Sequence, residues 1–288
     1  MVCFYINMAI VNYKTDYPLC ILINNKEINK DYFIDKDFTV SKVLYLDREN
    51  KYDLDTNLIS VGKFYPFPKP GKFFRCFISG SSGSGKTTLM CNLLNILNYY
   101  NNKMFVLFIS SILNDDKLDK QLKKIFKRQC LKVNQESLIK DVNHEIPINL
   151  NELFEFLNKL GFESCCVVFD DVDSMTNKTV KLYMDKFMHE ILERGRSHTK
   201  KEMNINCIII KHEMSGLDTK KLFLECEYIY FNLQVIHNQR LKYVCEKFNL
   251  NSYLDLLTER KNKGDGMCCL STKYPFYLFT NKIISTVK

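Results

Sequence analysis

The run Gly80-Ser81-Ser82-Gly83-Ser84-Gly85-Lys86-Thr87 constrains this chain more than any other stretch. It fits G-x-x-x-x-G-K-[ST], and both flanks fit too. An apolar run of strand length, Phe73 to Ser79, precedes it, and Lys86 to Tyr99 then carries Leu89, Leu93, Leu94, Ile96 and Leu97 at helical spacing. Strand, glycine-rich turn and helix start together make a cradle for phosphate. The glycines let the backbone curl so that successive N–H groups face inward, and the helix start adds its positive dipole end. Gly80, Ser81, Ser82, Gly83, Ser84, Gly85, Lys86, Thr87 and Thr88 are therefore expected to wrap the phosphates of ATP, with Lys86 on the β- and γ-phosphates and the Thr87 hydroxyl on Mg²⁺.

A phosphate cradle alone hydrolyses nothing, because something must hold the metal and orient water. Cys165-Cys166-Val167-Val168-Phe169-Asp170-Asp171 supplies a buried strand that ends in acid. Asp170 is expected to emerge beside the P-loop and hold a Mg²⁺-bound water, and Asp171 is the candidate general base toward the γ-phosphate. The competing use of two such acids is to cap the next helix. Asp173 and Ser174 are placed to do that capping instead.

The rest of the chain supports an α/β architecture. The segment 1–70 shows no sustained period and ends in the turn-rich Phe64-Tyr65-Pro66-Phe67-Pro68-Lys69-Pro70-Gly71, which reads as a boundary before a domain spanning 71–288. Beyond it, strands are expected at Met104 to Ser110, Cys165 to Phe169, Cys207 to Ile210 and Tyr228 to Phe231. Helices are expected at Asp116 to Arg128, Leu150 to Leu160, Lys178 to Leu192 and from about Gln239. Strands that are apolar throughout and alternate with helices imply a mainly parallel sheet sandwiched by helices. Met267 to Ser271 and Phe276 to Thr280 read as closing edge strands.

Composition narrows the class further. The 288 residues are 46% hydrophobic and 26% charged, which excludes a disordered, collagen-like or coiled-coil chain. A formal charge of +8 mildly favours polyanionic partners, although the excess is scattered and forms no basic arm. Twelve cysteines without any Cys-x-x-Cys spacing point to reduced thiols rather than a zinc site. The opening Met1 to Tyr13 is apolar but short and lacks a basic start, and no segment reaches the roughly 20 apolar residues of a membrane span. The expectation is a protein without membrane contact in a reducing compartment.

Several stretches together resemble the viral genome-packaging ATPases of the FtsK/HerA superfamily, found in poxviruses, giant viruses, virophages and polinton-like elements. They are Phe74-Arg75-Cys76-Phe77-Ile78-Ser79-Gly80 running into the P-loop, Val168-Phe169-Asp170-Asp171, Gly195-Arg196-Ser197-His198, Lys211-His212-Glu213-Met214, Leu222 to Ile229 and Tyr274-Pro275-Phe276-Tyr277. The resemblance implies a RecA-like (ASCE) P-loop NTPase fold with a small N-terminal region, and a homo-oligomeric ring with ATP at each subunit interface. It further implies a neighbour's arginine on the γ-phosphate, an effect worth about 10³ to 10⁵ in rate in other NTPases. Arg196 matches the family's Gly-Arg-His element, with Arg194 as second choice, and His212 falls where the superfamily places a polar sensor. Double-stranded DNA, capsid or portal proteins, and residence in the host cytoplasm, a viral factory or the virion are implied in the same way. Lys200, Lys201, Lys220 and Lys221 would face a DNA channel. Asp171 is one methylene shorter than the superfamily's more usual glutamate, and Ser197 separates Arg196 from His198. The alternatives kept open are a P-loop nucleotide or small-molecule kinase and a helicase-like or structural ATPase subunit. The kinase reading lacks an arginine-rich lid, and neither an Asn-Lys-x-Asp guanine signature nor a Ser-Gly-Gly helix is present.

Overall fold

The computed structural model describes residues 18–24, 42–45, 62–66, 74–100, 104–111, 115–126, 129–141, 146–194, 203–212, 214, 222–264, 266–272, 277–280 and 284–286. The chain divides into two compact units, Gly71–Cys226 and a second made of Met1–Pro70 with Glu227–Lys288. In the second unit, β1 (Pro18–Asn24), β2 (Lys42–Tyr45) and β3 (Gly62–Pro66) form an antiparallel sheet in the order β2-β1-β3. These strands lie in a segment whose sequence showed no sustained period.

The unit Gly71–Cys226 carries the phosphate-binding turn. Along the chain it contains β4 (Arg75–Ser79), α1 (Lys86–Tyr100), β5 (Met104–Ser110), α2 (Asp116–Phe126), β6 (Cys130–Asn134), α3 (Gln135–Lys140), α4 (Leu150–Leu160), β7 (Ser164–Asp170), α5 (Lys178–Arg194) and β8 (Asn204–Lys211). Its strands run parallel in the order β4-β8-β7-β5-β6. All residues of β4 and β5 are buried, as expected of strands with helices on both faces. Leu150, Leu153 and Leu157 of α4, and Met184, Phe187, Met188, Ile191 and Leu192 of α5, supply part of that cover. Phe169 meets Phe187 edge to face at 5.8 Å, which seats α5 against the acid strand itself. Helix α4 is delimited chemically: Asn149 accepts from the Glu152 N–H, and Gly161, at φ 74°, ends it in the left-handed conformation.

Register places the functional ends in one row. Ser79 pairs with Lys211, Ile210 with Asp170, and Asp170 with Ser110. The carboxyl ends of β4, β8, β7 and β5 therefore finish at the same level, and β8 stands between the P-loop strand and the acid strand. A crevice outside such strand ends is where open parallel sheets bind ligands.

In the second unit, β9 (Tyr228–Asn232), β10 (Met267–Ser271), β11 (Tyr277–Thr280) and β12 (Ile284–Thr286) pair antiparallel in sequence order. The mainly parallel pairing expected from the sequence does not extend to β9 and β10, which run antiparallel to each other. Nor is β10 an edge, because it lies between β9 and β11, with β12 outermost. The cysteines from Cys76 to Cys269 are free thiols, and burial pushes the Cys91, Cys130 and Cys207 thiols up to about 12. Among the described residues no helix is long and apolar enough to cross a membrane.

Candidate functional site

Gly80 leaves β4 with its N–H donating to the Lys211 carbonyl at 3.4 Å. A Cβ here would collide with the Ser84 Oγ, so the absence of a side chain lets the loop close back on itself without moving Ser84. Gly83 and Gly85 adopt φ of 76° and 86°, a region that costs other L-residues energy. The Ser84 N–H donates to the Ser81 carbonyl at 3.2 Å, and the Leu89 N–H to the Gly85 carbonyl at 2.9 Å starts the helix. Lys86, Thr87 and Thr88 form the first turn of α1, half-buried.

The Lys86 ammonium donates to the carbonyls of Gly80 at 2.7 Å and Ser81 at 2.9 Å. Burial lowers its pKa, an effect opposed by the nearby charges of Asp171 and Asp170. The Lys86 Nζ also lies 3.4 Å from His212 Nδ1. On the other side of the ring, His212 Nε2 is 2.9 Å from Asp171 Oδ2. Since an ammonium can only donate, this pairing assigns the lone pair to Nδ1 and the proton to Nε2. Lys86, His212 and Asp171 thus form one polar chain from the P-loop across the tip of β8 to the tip of β7.

Asp170 accepts from the Ser110 hydroxyl at 3.4 Å. Burial, followed by the Asp171 charge, raises its pKa from the ordinary 3.8 to about 6, against the opposing influences of the Ser110 hydrogen bond, Lys86 and His212. The desolvated Asp170 carboxylate and the Thr87 hydroxyl at the start of α1 are both hard oxygen donors, a donor set whose chemistry fits Mg²⁺.

Asp171 adopts φ 55° and ψ 34°, left-handed and unusual for a residue with a side chain. Its N–H donates to the Ile210 carbonyl at 3.0 Å, and its own carbonyl accepts from the Ser174 N–H at 3.0 Å and the Ser174 hydroxyl at 2.8 Å. The capping assignment for Asp173 and Ser174 is corrected here. Residues Val172–Ser174 form a single 3₁₀ turn, and α5 is capped by Asn177, whose Oδ1 accepts from the Thr179 and Val180 N–H groups at 3.1 Å each. Met175, Thr176 and Asn177 lie between the turn and the helix, and the Asp173 carboxylate accepts from Lys211 instead.

The structure thus brings together the P-loop, Lys86, Asp170, Asp171 and His212. Arg196 lies outside the described residues, as do Lys200, Lys201, Lys220 and Lys221. Arg194 is exposed in the last turn of α5, 3.8 Å from Glu190. Two features escaped sequence reasoning beyond their place in the family resemblance. Arg75 is 1% exposed, donates to the Leu192 carbonyl and stands 3.8 Å from Glu225. Lys211, 6% exposed, donates to Asp173 Oδ1 at 2.9 Å. In both cases the available signal was a cation within an apolar strand, which seldom stays buried without a partner.

The raised Asp170 pKa has consequences for stability. Between 3.8 and about 6 the native state keeps a proton that the unfolded chain has released. This carboxyl's contribution to stability is therefore full below 3.8 and is lost as pH rises through about 6. Asp170→Asn removes the buried charge and is expected to raise unfolding free energy at neutral pH by up to about 3 kcal/mol, while Mg²⁺-dependent turnover disappears. Urea unfolding of both proteins at neutral and acid pH checks this. A variant no more stable than the parent at neutral pH contradicts it.

Fold and site together define a P-loop ATPase of the α/β class. Residues 76–230 match the ATPase family associated with various cellular activities (AAA), and the chain belongs to that family. It is 27% identical over 179 residues to Uncharacterized protein V3 of Sputnik virophage, a similarity covering 62% of this chain and 62% of that protein. The chain therefore matches less than two thirds of that curated relative. Among solved structures, it is similar at TM-score 0.43 and 11% identity to the genome packaging NTPase B204 from Sulfolobus turreted icosahedral virus 2 in complex with AMP, over 69% of this chain and 93% of that one. It is similar at TM-score 0.42 and 11% identity to the pCW3 conjugation coupling protein TcpA, over 83% and 68%.

Proposed function

We propose that this chain is a ring-forming, ATP-hydrolysing motor that moves double-stranded DNA into a viral capsid. The observation that carries the hydrolytic part is the polar chain Lys86–His212–Asp171 lying beside Asp170, with spacings of 3.4 and 2.9 Å. It gathers a triphosphate-gripping cation, a metal-holding acid and a water-polarising acid at one level of the sheet. The motif resemblance supports the packaging part, and the similarity to a virophage protein supports its viral setting.

Lys86 leaves its loop carbonyls for the β- and γ-phosphates, and the loop N–H groups hold the remaining phosphate oxygens. Thr87 and Asp170 would hold Mg²⁺, which would supply charge neutralisation to the phosphate oxygens. Asp171 accepts a proton from the attacking water as its oxygen bonds to the γ-phosphorus and the bond to the β-γ bridging oxygen breaks, releasing ADP and phosphate. His212 touches both Lys86 and Asp171, so it links the state of the phosphates to the orientation of the base. Arg196 of the neighbouring subunit adds charge to the γ-phosphate, and Lys200, Lys201, Lys220 and Lys221 contact DNA phosphates along a central channel. Capsid or portal proteins complete the assembly, which works in the host cytoplasm or viral factory without membrane contact.

Two measurements test this reading. Double-stranded DNA should stimulate ATP turnover by an oligomer of the purified chain, and turnover indifferent to DNA contradicts the motor. Mixing Arg196→Ala subunits with Asp171→Asn subunits should restore part of the activity that each lacks alone. Absence of rescue removes Arg196 from a role across the interface.

A further inference from the structure

Two consecutive residues at the carboxyl end of β8 each hold one aspartate of the turn that follows β7. Lys211 Nζ donates to Asp173 Oδ1 at 2.9 Å, and His212 Nε2 lies 2.9 Å from Asp171 Oδ2. The Lys211 side chain is only 8% exposed. Its ammonium has given up most of its water, and the Asp173 carboxylate is the charge that replaces it. This charge-assisted contact, with its cation buried, is short and geometrically defined, unlike the Lys140–Glu136 pair, exposed on both sides, at 3.7 Å.

The turn is tied at its other atoms as well. Lys181 of α5 donates to the Asp173 carbonyl at 2.7 Å, and the Ser174 hydroxyl spans the Asp171 carbonyl at 2.8 Å and the Ser111 hydroxyl at 2.7 Å. What these bonds hold is Asp171 in its left-handed conformation at φ 55°. A side-chain-bearing residue is strained there and persists only where its surroundings over-determine it. The backbone bond from Asp171 to Ile210 fixes the residue's start. The Lys211–Asp173 pair fixes the turn two residues later, and it does so from the residue adjacent to His212.

We propose that the Lys211–Asp173 ion pair is a positioning clamp that sets the mutual orientation of Asp171 and His212 for the hydrolytic step. Its catalytic consequence rests on the ATPase reading above. Neither residue touches the reacting atoms. They act by keeping the tip of β8 and the turn after β7 in one geometry, so that the base faces the attacking water.

The test compares the full-length chain with Lys211→Met, Asp173→Asn, the double variant and Lys211→Arg. Each is labelled with ¹⁵N-histidine, and the His212 signal is identified by its loss in His212→Asn. The clamp expects the His212 signals to shift in Lys211→Met and in Asp173→Asn. It expects kcat to fall about tenfold while KM stays within about twofold, as for a misplaced catalytic group with intact binding. The double variant should fall no further than either single one, because one contact is lost in each, and Lys211→Arg should recover most of the rate. Unmoved His212 signals, or a kcat unchanged by breaking the pair while the parent turns over ATP, overturn the clamp. His212 signals that shift in the variants while the parent itself hydrolyses nothing uphold the clamp and overturn the hydrolytic reading instead. Asp173 is 45% exposed, so Asp173→Asn is the variant that keeps its fold if Lys211→Met does not.

Discussion

Lys86→Ala is expected to leave the purified chain without measurable ATP turnover, a loss of at least about 10²-fold on the scale of removing one group that stabilises transition-state charge. The side chain is half-buried and held by two carbonyls of its own loop. Its removal leaves the backbone curl of Gly80, Gly83 and Gly85 standing but takes away the one cation the loop directs at the phosphates. Burial already disfavours that cation, and only the neighbouring acids offset the effect. The energy of holding it there is recovered when it meets a polyanion. Phosphate release followed over Mg²⁺ and ATP concentration, with circular dichroism to confirm the fold, is the measurement. Retained activity would show that the loop is not the site of hydrolysis.

The second large effect separates binding from chemistry. Asp171→Asn is expected to bind ATP with near-parental affinity yet hydrolyse it about 10² to 10⁴ times more slowly, the range assigned to a positioned general base. The substitution is clean for structural reasons. Asparagine tolerates the left-handed conformation that the position demands, and its Oδ1 can still accept from His212 Nε2, 2.9 Å away in the parent. What the amide lacks is basicity. Equilibrium binding of a fluorescent ATP analogue together with single-turnover rates distinguishes the two properties. A near-normal rate would remove Asp171 from the role of base.

Much of this site was legible in the sequence because its elements obey local rules. The phosphate turn is written in glycines whose conformations no other residue adopts cheaply, and β4, β5, β7 and β8 are written as apolar runs because both their faces are covered. Other parts depended on what lies across the sheet. β6 was missed because Cys130, Leu131, Lys132 and Asn134 are only half-buried on an edge strand, and Gln135–Lys140 is too short to show a helical period. The antiparallel pairing of β9 with β10 cannot be read from an apolar run, since parallel and antiparallel core strands look alike locally. The contact between His212 and Asp171 needed the parallel register that sets β8 beside β7. The displacement of Asp173 from cap to ion-pair partner followed from Lys211, a residue 38 positions away.

Calorimetric titration of ATP into the full-length chain with Mg²⁺ at neutral pH tests the central claim most directly. A saturable isotherm with one site per chain, weakened when Mg²⁺ is chelated and abolished or strongly weakened in Lys86→Ala, is the expected result. A flat titration up to millimolar ATP, from a chain whose fold is intact, would contradict it.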